Sequence, residues 1–260
     1  MNDSSTSAPL PPPPAPNSGR SRPFWSSVDI LLAIPFIIAL VLVGTIVASL
    51  LASGISDWDG TDDLPVYGLF IAVAFQQAGQ GLWPWVVSKR KGLGMPSDWK
   101  FRFEWPSDIG IGFGLAVICV LGSTAATALM SVIVGLGEDE DPSNTSILSD
   151  NQDSPWLIGV ILLVVFGAPL TEELLFRGLI LRALEKDLGV YVAIIGSTLL
   201  FTLPHMQAGA TGRETMVLLA GIATIGLVLG IAAVRLDRLG PPIIGHFFFN
   251  AFGTAMTLIN

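Results

Sequence analysis

VDILLAIPFIIALVLVGTIVASLLAS, residues 28–53, carries a single charged side chain, Asp29, near its start. A helix needs roughly 20 consecutive apolar residues to cross the hydrocarbon of a bilayer. This run is long enough to cross and too long for the apolar segment of a cleavable signal, so it reads as an uncleaved first span. Six further stretches read the same way, some with a tilt: 66–88, 108–135, 156–184, 190–207, 214–235 and 241–259. The fourth of the seven, 156–184, exceeds a span and carries charge, so it should cross and then continue into water as an amphipathic extension. The expected fold class is all-α, a polytopic membrane helix bundle of about seven transmembrane helices.

The whole chain agrees with its first span. Hydrophobic residues make up 51% of 260 and charged residues 13%, where soluble domains carry about a quarter charged. A net charge of −8 argues against nucleic acid, which selects a basic face. The single Cys119 excludes an internal disulfide and a cysteine metal site, and it reads as a small lipid-facing or packing residue. Residues 1–24, with the run Pro11 to Pro14, could build no core and read as a disordered Pro-rich N-terminal tail.

Loop charges set an orientation. Arg20 and Arg22 precede the first stretch. Lys89, Arg90, Lys91, Lys100 and Arg102 follow the second, Arg182 and Lys186 the fourth, Arg235 and Arg238 the sixth. The alternate loops hold Asp57, Asp59, Asp62, Asp63, Glu138, Asp139, Glu140, Asp141, Asp150 and Asp153, with Arg213 the one basic exception. The positive-inside rule then gives an integral protein of the cell (plasma) membrane with a cytoplasmic N-terminus. The seven tryptophans, 25, 58, 83, 85, 99, 105 and 156, fall near helix ends or in loops and are expected to form an aromatic belt. Gly110 with Gly114, and Gly226 with Gly230, have the spacing that lets helix backbones approach. Asp29 and Asp108 lie near helix starts, where solvated acids are expected.

Ionisable groups within a membrane are costly and face a cavity or a partner. Four clusters have that character: Thr171-Glu172-Glu173-Leu174-Leu175-Phe176-Arg177, Phe201-Thr202-Leu203-Pro204-His205, His246-Phe247-Phe248-Phe249-Asn250, and the glutamines 76, 77 and 80. Glu173 and Arg177 are four apart and can pair on one helix face. Glu172 points about 100° away. His246 and Asn250 also share a face. The helix-two glutamines read first as interhelical hydrogen-bond glue and second as cavity lining.

The fourth and fifth stretches make a hairpin with its tip near Leu188 and Gly189. Glu172 lies 17 residues before Gly189 and His205 lies 16 after it, so both sit about 25 Å from the tip and level with one another. With the tip in the cytoplasm, and His246 entering its helix from the same side, the clusters are expected to meet in a cavity open to the cytoplasm. A carboxylate and an imidazole can hold or deprotonate a water, making a nucleophile for an amide carbonyl. A second histidine and a carboxamide suit the oxyanion of the tetrahedral intermediate. Alternatively, Glu172, His205 and His246 form a first shell for Zn²⁺ with water in the fourth position. Both readings are peptide hydrolysis.

The motifs EExxxR (Glu172, Glu173, Arg177), FxxxH (Phe201, His205) and HxxxN (His246, Asn250), in this order and each on a membrane helix, resemble the CAAX prenyl protease and bacteriocin-processing family of intramembrane endopeptidases. The resemblance covers roughly residues 155–255. It implies three accessory transmembrane helices in 25–154 and four catalytic ones in 155–260. It implies that Glu172 and His205 activate water, that His246 and Asn250 form the oxyanion hole, and that Glu173 and Arg177 orient the site. The substrate would be a membrane-associated peptide or protein. No cofactor is assigned beyond one divalent metal, Zn²⁺, held by Glu172, His205 and His246 if the mechanism is metal-dependent. The signatures HExxH, GxSG and a Gly-Asp pair are absent, which removes three competing protease mechanisms. A proton- or ion-coupled transporter, or a non-catalytic membrane scaffold, could use the same buried polar residues. Neither explains why donors and an acid–base pair occur together, and the halves show no internal repeat of the transporter kind.

Overall fold

A computed structural model describes residues 24–55, 64–137, 148, 151–206 and 212–259. Most of the Pro-rich tail, and Trp58 with it, lies outside the described residues. Within them the chain is helical: α1 Val28–Ile55, α2 Val66–Lys91, the short α3 Met95–Asp98, α4 Ser107–Val134, α5 Leu157–Leu188, α6 Val190–Thr202 with a tighter final turn Leu203–His205, α7 Gly212–Leu236 and α8 Gly240–Ile259. Each of the seven expected stretches is one of these helices. Five are long and apolar enough to cross a membrane: α1, α4, α5, α7 and α8. α6 is apolar but shorter, and α2 is diluted by its three glutamines. Helices are the expected solution because lipid supplies no partners for backbone N–H and C=O groups.

The lipid-facing surface is visible along α1, where Leu31, Ile38, Leu42, Ile46 and Leu50 are exposed. The opposite face of α1 packs on α2, and α2 in turn lies against α5. α4 packs on α7 and α8, and α7 also packs on α6. The hairpin between α5 and α6 turns at Gly189, whose φ of +86° favours a residue without Cβ. As expected, the last turns of α5 leave the interior: Lys186, Asp187 and Leu188 are exposed.

Close approach follows one of the two expected glycine pairs. A Cβ on Gly226 would press on Thr198 and Phe201 of α6, and Gly230 faces Ile194 and Thr198. Gly110 and Gly114 have no neighbours and are exposed. The contact on α4 is made instead by Gly112, where a Cβ would collide with Ile244 and the backbone of Gly245. Two residues of helical rotation decide which glycine meets a partner.

The basic loop residues gather at one end of the bundle, joined by shared acids. Lys100, Arg102 and Arg182 all pair with Asp237. Lys91 pairs with Asp29 at 2.6 Å, and Arg238 with Asp108 at 2.9 Å. Asp29 and Asp108, expected to be solvated, are buried, because each has a cation and a backbone N–H to answer it. The hydrogen bond to Asp108 holds the Arg238 pKa above its ordinary value. The aromatic belt also needs correction. Trp85, Trp105 and Trp156 are exposed, but Trp25 and Trp99 are interior. Their indole N–H groups donate to Asp98 and to the Pro84 carbonyl, which allows burial. Cys119 is fully buried, a packing residue beside Ile225 and Leu229.

Candidate active site

α5 carries the first cluster, and it is not a plain α-helix. Its turns widen to π-geometry at Leu163–Gly167 and again at Leu174–Ile180. Pro169 accounts for the first widening, since it has no N–H to offer the preceding turn and its ring crowds the carbonyls there. Such turns leave backbone carbonyls short of partners. Side chains from other helices supply them: Gln77 Nε2 donates to Leu163 O at 3.0 Å, and Asn250 Nδ2 to Val164 O at 2.8 Å. Gln77 reaches that carbonyl because Gly167 has no Cβ in its path. Thr171 Oγ1 lies 3.3 Å from Gln80 Oε1 and 3.0 Å from the Gly167 carbonyl. The glue expected of the helix-two glutamines is present, and Gln76 and Gln77 also line a cavity.

The second part of the cluster is wholly interior. Glu173 and Arg177 are both fully buried and pair at 2.8 Å, the i,i+4 contact expected from their spacing. Arg177 also donates to the Gly226 carbonyl and lies 4.3 Å over the Phe201 ring. His246 Nδ1 is 3.0 Å from the same Glu173 oxygen. Glu173 is paired with a guanidinium, so it accepts and His246 Nδ1 donates. That leaves Nε2 as the ring nitrogen that faces Glu172, 3.9 Å away. One imidazole thus lies between the two adjacent glutamates, Glu173 sealed behind it and Glu172 partly open in front.

His205 closes α6. Its Nδ1 is 2.9 Å from the Phe201 carbonyl, one of the acceptors a helix end leaves over. A carbonyl only accepts, so Nδ1 carries a proton, and in the neutral imidazole Nε2 is then the acceptor. Glu172, His205, His246 and Asn250 all line one cavity of about 470 Å³, with Gln76, Gln77 and Phe201. Glu173 and Arg177 stand behind it. The described contacts pair Glu172 with His246.

The cavity lies at the other end of the bundle from the basic residues. Its lining comes from the first half of α2 (Leu69, Val73), of α5 (Val160, Val164) and of α7 (Leu218, Gly221), and from the second half of α4 (Ser123, Thr127). The expected hollow is present, lined from the half of the bundle away from the basic residues and not from the basic end expected from the sequence. The physical reason lies in the depth: about 25 Å from the hairpin tip is most of a hydrocarbon core of about 30 Å. Two of the three accessory helices, α2 and α4, also form part of the wall.

Among the described residues no three His, Cys, Asp or Glu side chains group closely enough to hold an ion. The expected trio Glu172, His205 and His246 is thus not gathered around an ion position, and since Nδ1 of each histidine is engaged, Nε2 is the nitrogen each could offer a ligand.

Residues 154–252, which include every motif residue, match the family model described as type II CAAX prenyl endopeptidase Rce1-like. This is the family that the three motifs resemble. Together with the apolar helices the match indicates an integral membrane protein. Among curated proteins the chain is 27% identical over 115 residues to an Escherichia coli protein described as "Uncharacterized 24.3 kDa protein". That similarity covers 44% of this chain, and the chain spans about half the length of this relative, 50%. No solved structure matches the chain.

Proposed function

We propose that this chain is an intramembrane endopeptidase that hydrolyses a peptide bond of a membrane-associated peptide or protein, with Glu172 and His205 activating the water. The observation that carries the reading is the division of labour among four side chains on one cavity. Among the described residues His205 Nε2 has no protein partner and Glu172 has one, at 3.9 Å, so both can accept from a water. Asn250 presents an amide with one N–H still available, and so donates.

In the proposed reaction a water sits between Glu172 and the His205 Nε2. Glu172 takes its proton as the oxygen attacks the amide carbonyl. The tetrahedral oxyanion accepts from Asn250 Nδ2–H and from His246 Nε2–H. Glu172 then passes the proton to the leaving amine as the C–N bond breaks, giving a carboxylic acid and an amine. Glu173 and Arg177 hold the His246 ring from behind. No step is routed through a metal. The N-terminus is assigned to the cytoplasm from the basic end of the bundle, and the cavity then opens toward the outer leaflet.

The test uses purified protein and a membrane extract in H₂¹⁸O. Wild type should create new C-termini carrying ¹⁸O, while Glu172→Ala and His205→Ala create none. Unlabelled extract with wild type, or equal labelling by the mutants, contradicts the proposal. Chelator and metal analysis run alongside: cleavage that persists without bound metal supports the glutamate mechanism, and loss that zinc restores replaces it with a metal-dependent one.

A further inference from the structure

We infer that Pro169 is a positioning residue, which aims the Asn250 carboxamide by leaving the Val164 carbonyl without a backbone donor. The inference rests on the hydrolytic reading for its kinetic consequence but not for its structural one. In the widened turn, the Ala168 N–H bonds to Leu163 O, five residues back. The next carbonyl, Val164 O, would take the N–H of residue 169 in the same register, or that of residue 168 in an ordinary α-helix. Residue 169 is proline and has none, and residue 168 is already engaged. Val164 O is thus an acceptor created by the sequence of α5, and Asn250 of α8 donates to it at 2.8 Å.

A primary carboxamide has two N–H groups on one planar nitrogen. With one fixed on a backbone carbonyl, the direction of the other follows from the plane of the amide. Asn250 lines the cavity, and no protein acceptor is described for its second N–H. The neighbouring carbonyl, Leu163 O, is braced by Gln77 from the opposite wall, so the turn that aims Asn250 is held from two sides. Proline at 169 converts a backbone defect into a rigid mount for an oxyanion donor four residues beyond His246. The same proline is itself buried, one turn before Glu173, and touches no substrate space.

With alanine at 169 the N–H returns, α5 regains ordinary α-geometry, and Val164 O turns back into its own helix. The kinetic probe is a quenched fluorescent farnesylated CAAX peptide presented in detergent micelles. Asn250→Ala should lower kcat by about 10²–10³-fold, the usual cost of one oxyanion donor. Pro169→Ala should lower kcat at least about tenfold with KM within about twofold, and the double variant should be no slower than Asn250→Ala alone. Multiplicative losses, or an unchanged kcat in Pro169→Ala, overturn the inference. A second readout needs neither cleavage nor a folded variant. In wild type labelled with ¹⁵N-asparagine, one Asn250 side-chain proton should exchange with solvent at least about tenfold more slowly than its geminal partner. Equal exchange of the two protons overturns the inference even if the chain proves to be a protease. Unequal exchange sustains it even if this peptide is not cut.

Discussion

Buried carboxylates occur at both ends of this bundle, and they are treated in opposite ways. At the basic end, Asp98 accepts from the Trp25 indole, the Ser88 hydroxyl and the backbone N–H groups of Leu93 and Gly94. Asp108 accepts from Arg238 and from the Glu104 N–H, and Asp29 from Lys91 and the Ser26 N–H. Every acceptor position there is answered by the protein. At the cavity end, among the described residues, Glu172 has one partner at 3.9 Å, His205 Nε2 has none and Asn250 keeps an N–H. A saturated buried charge locks elements together. One left with spare capacity beside a cavity can work on a guest. Between the two stands the Glu173–Arg177 pair, within the catalytic motif and fully buried like the acids of the basic end, with Glu173 Oε2 and Arg177 Nε left without a partner among the described residues.

The largest effect should come from the unsaturated side. Glu172→Ala should lower cleavage by about a thousandfold or more while leaving the thermal midpoint in detergent within experimental error. A large fall in that midpoint would place Glu172 with the structural acids. Next come the saturated groups, which should act through folding. Asp98→Ala and Arg177→Ala should each cost about 3–5 kcal/mol of stability, because each leaves buried partners unanswered. The Arg177 result sharpens the comparison most. If Arg177→Ala keeps its stability and loses only activity, the guanidinium belongs to the chemistry and the boundary is drawn in the wrong place.

Smaller effects test the packing that brings the ends into register. Gly112→Ala forces a methyl into Ile244 and Gly245 and should cost about 1–3 kcal/mol, read as a lower unfolding midpoint. Gly110→Ala, on the exposed face of the same helix, should stay within about 0.5 kcal/mol. Similar costs for the two would mean that α4 is rotated from the described packing.

Most of the helical frame can be read from the sequence, because lipid demands long apolar runs and the chain supplies them without ambiguity. The motif spacings are equally legible. Glu173 with Arg177, and His246 with Asn250, are four apart, and one turn of helix fixes their shared faces. What cannot be read depends on rotation and depth. Nothing local distinguishes Gly112 from Gly110, and the indoles of Trp25 and Trp99 look like interface anchors until Asp98 and the Pro84 carbonyl are seen to receive them. Pro169 was the one available signal for the widened turn, yet the donors that answer it come from α2 and α8. The side on which the cavity lies was implicit in the depth of about 25 Å from the hairpin tip.

The central claim is that the residues with spare hydrogen-bonding capacity perform hydrolysis and do not merely hold the bundle. The most direct measurement compares protein termini in membranes from cells making wild type and Glu172→Gln at equal levels. The account predicts an intact, equally abundant Glu172→Gln protein and the disappearance of a discrete set of cleaved termini. An identical set of termini in both strains, with both proteins folded, would contradict it.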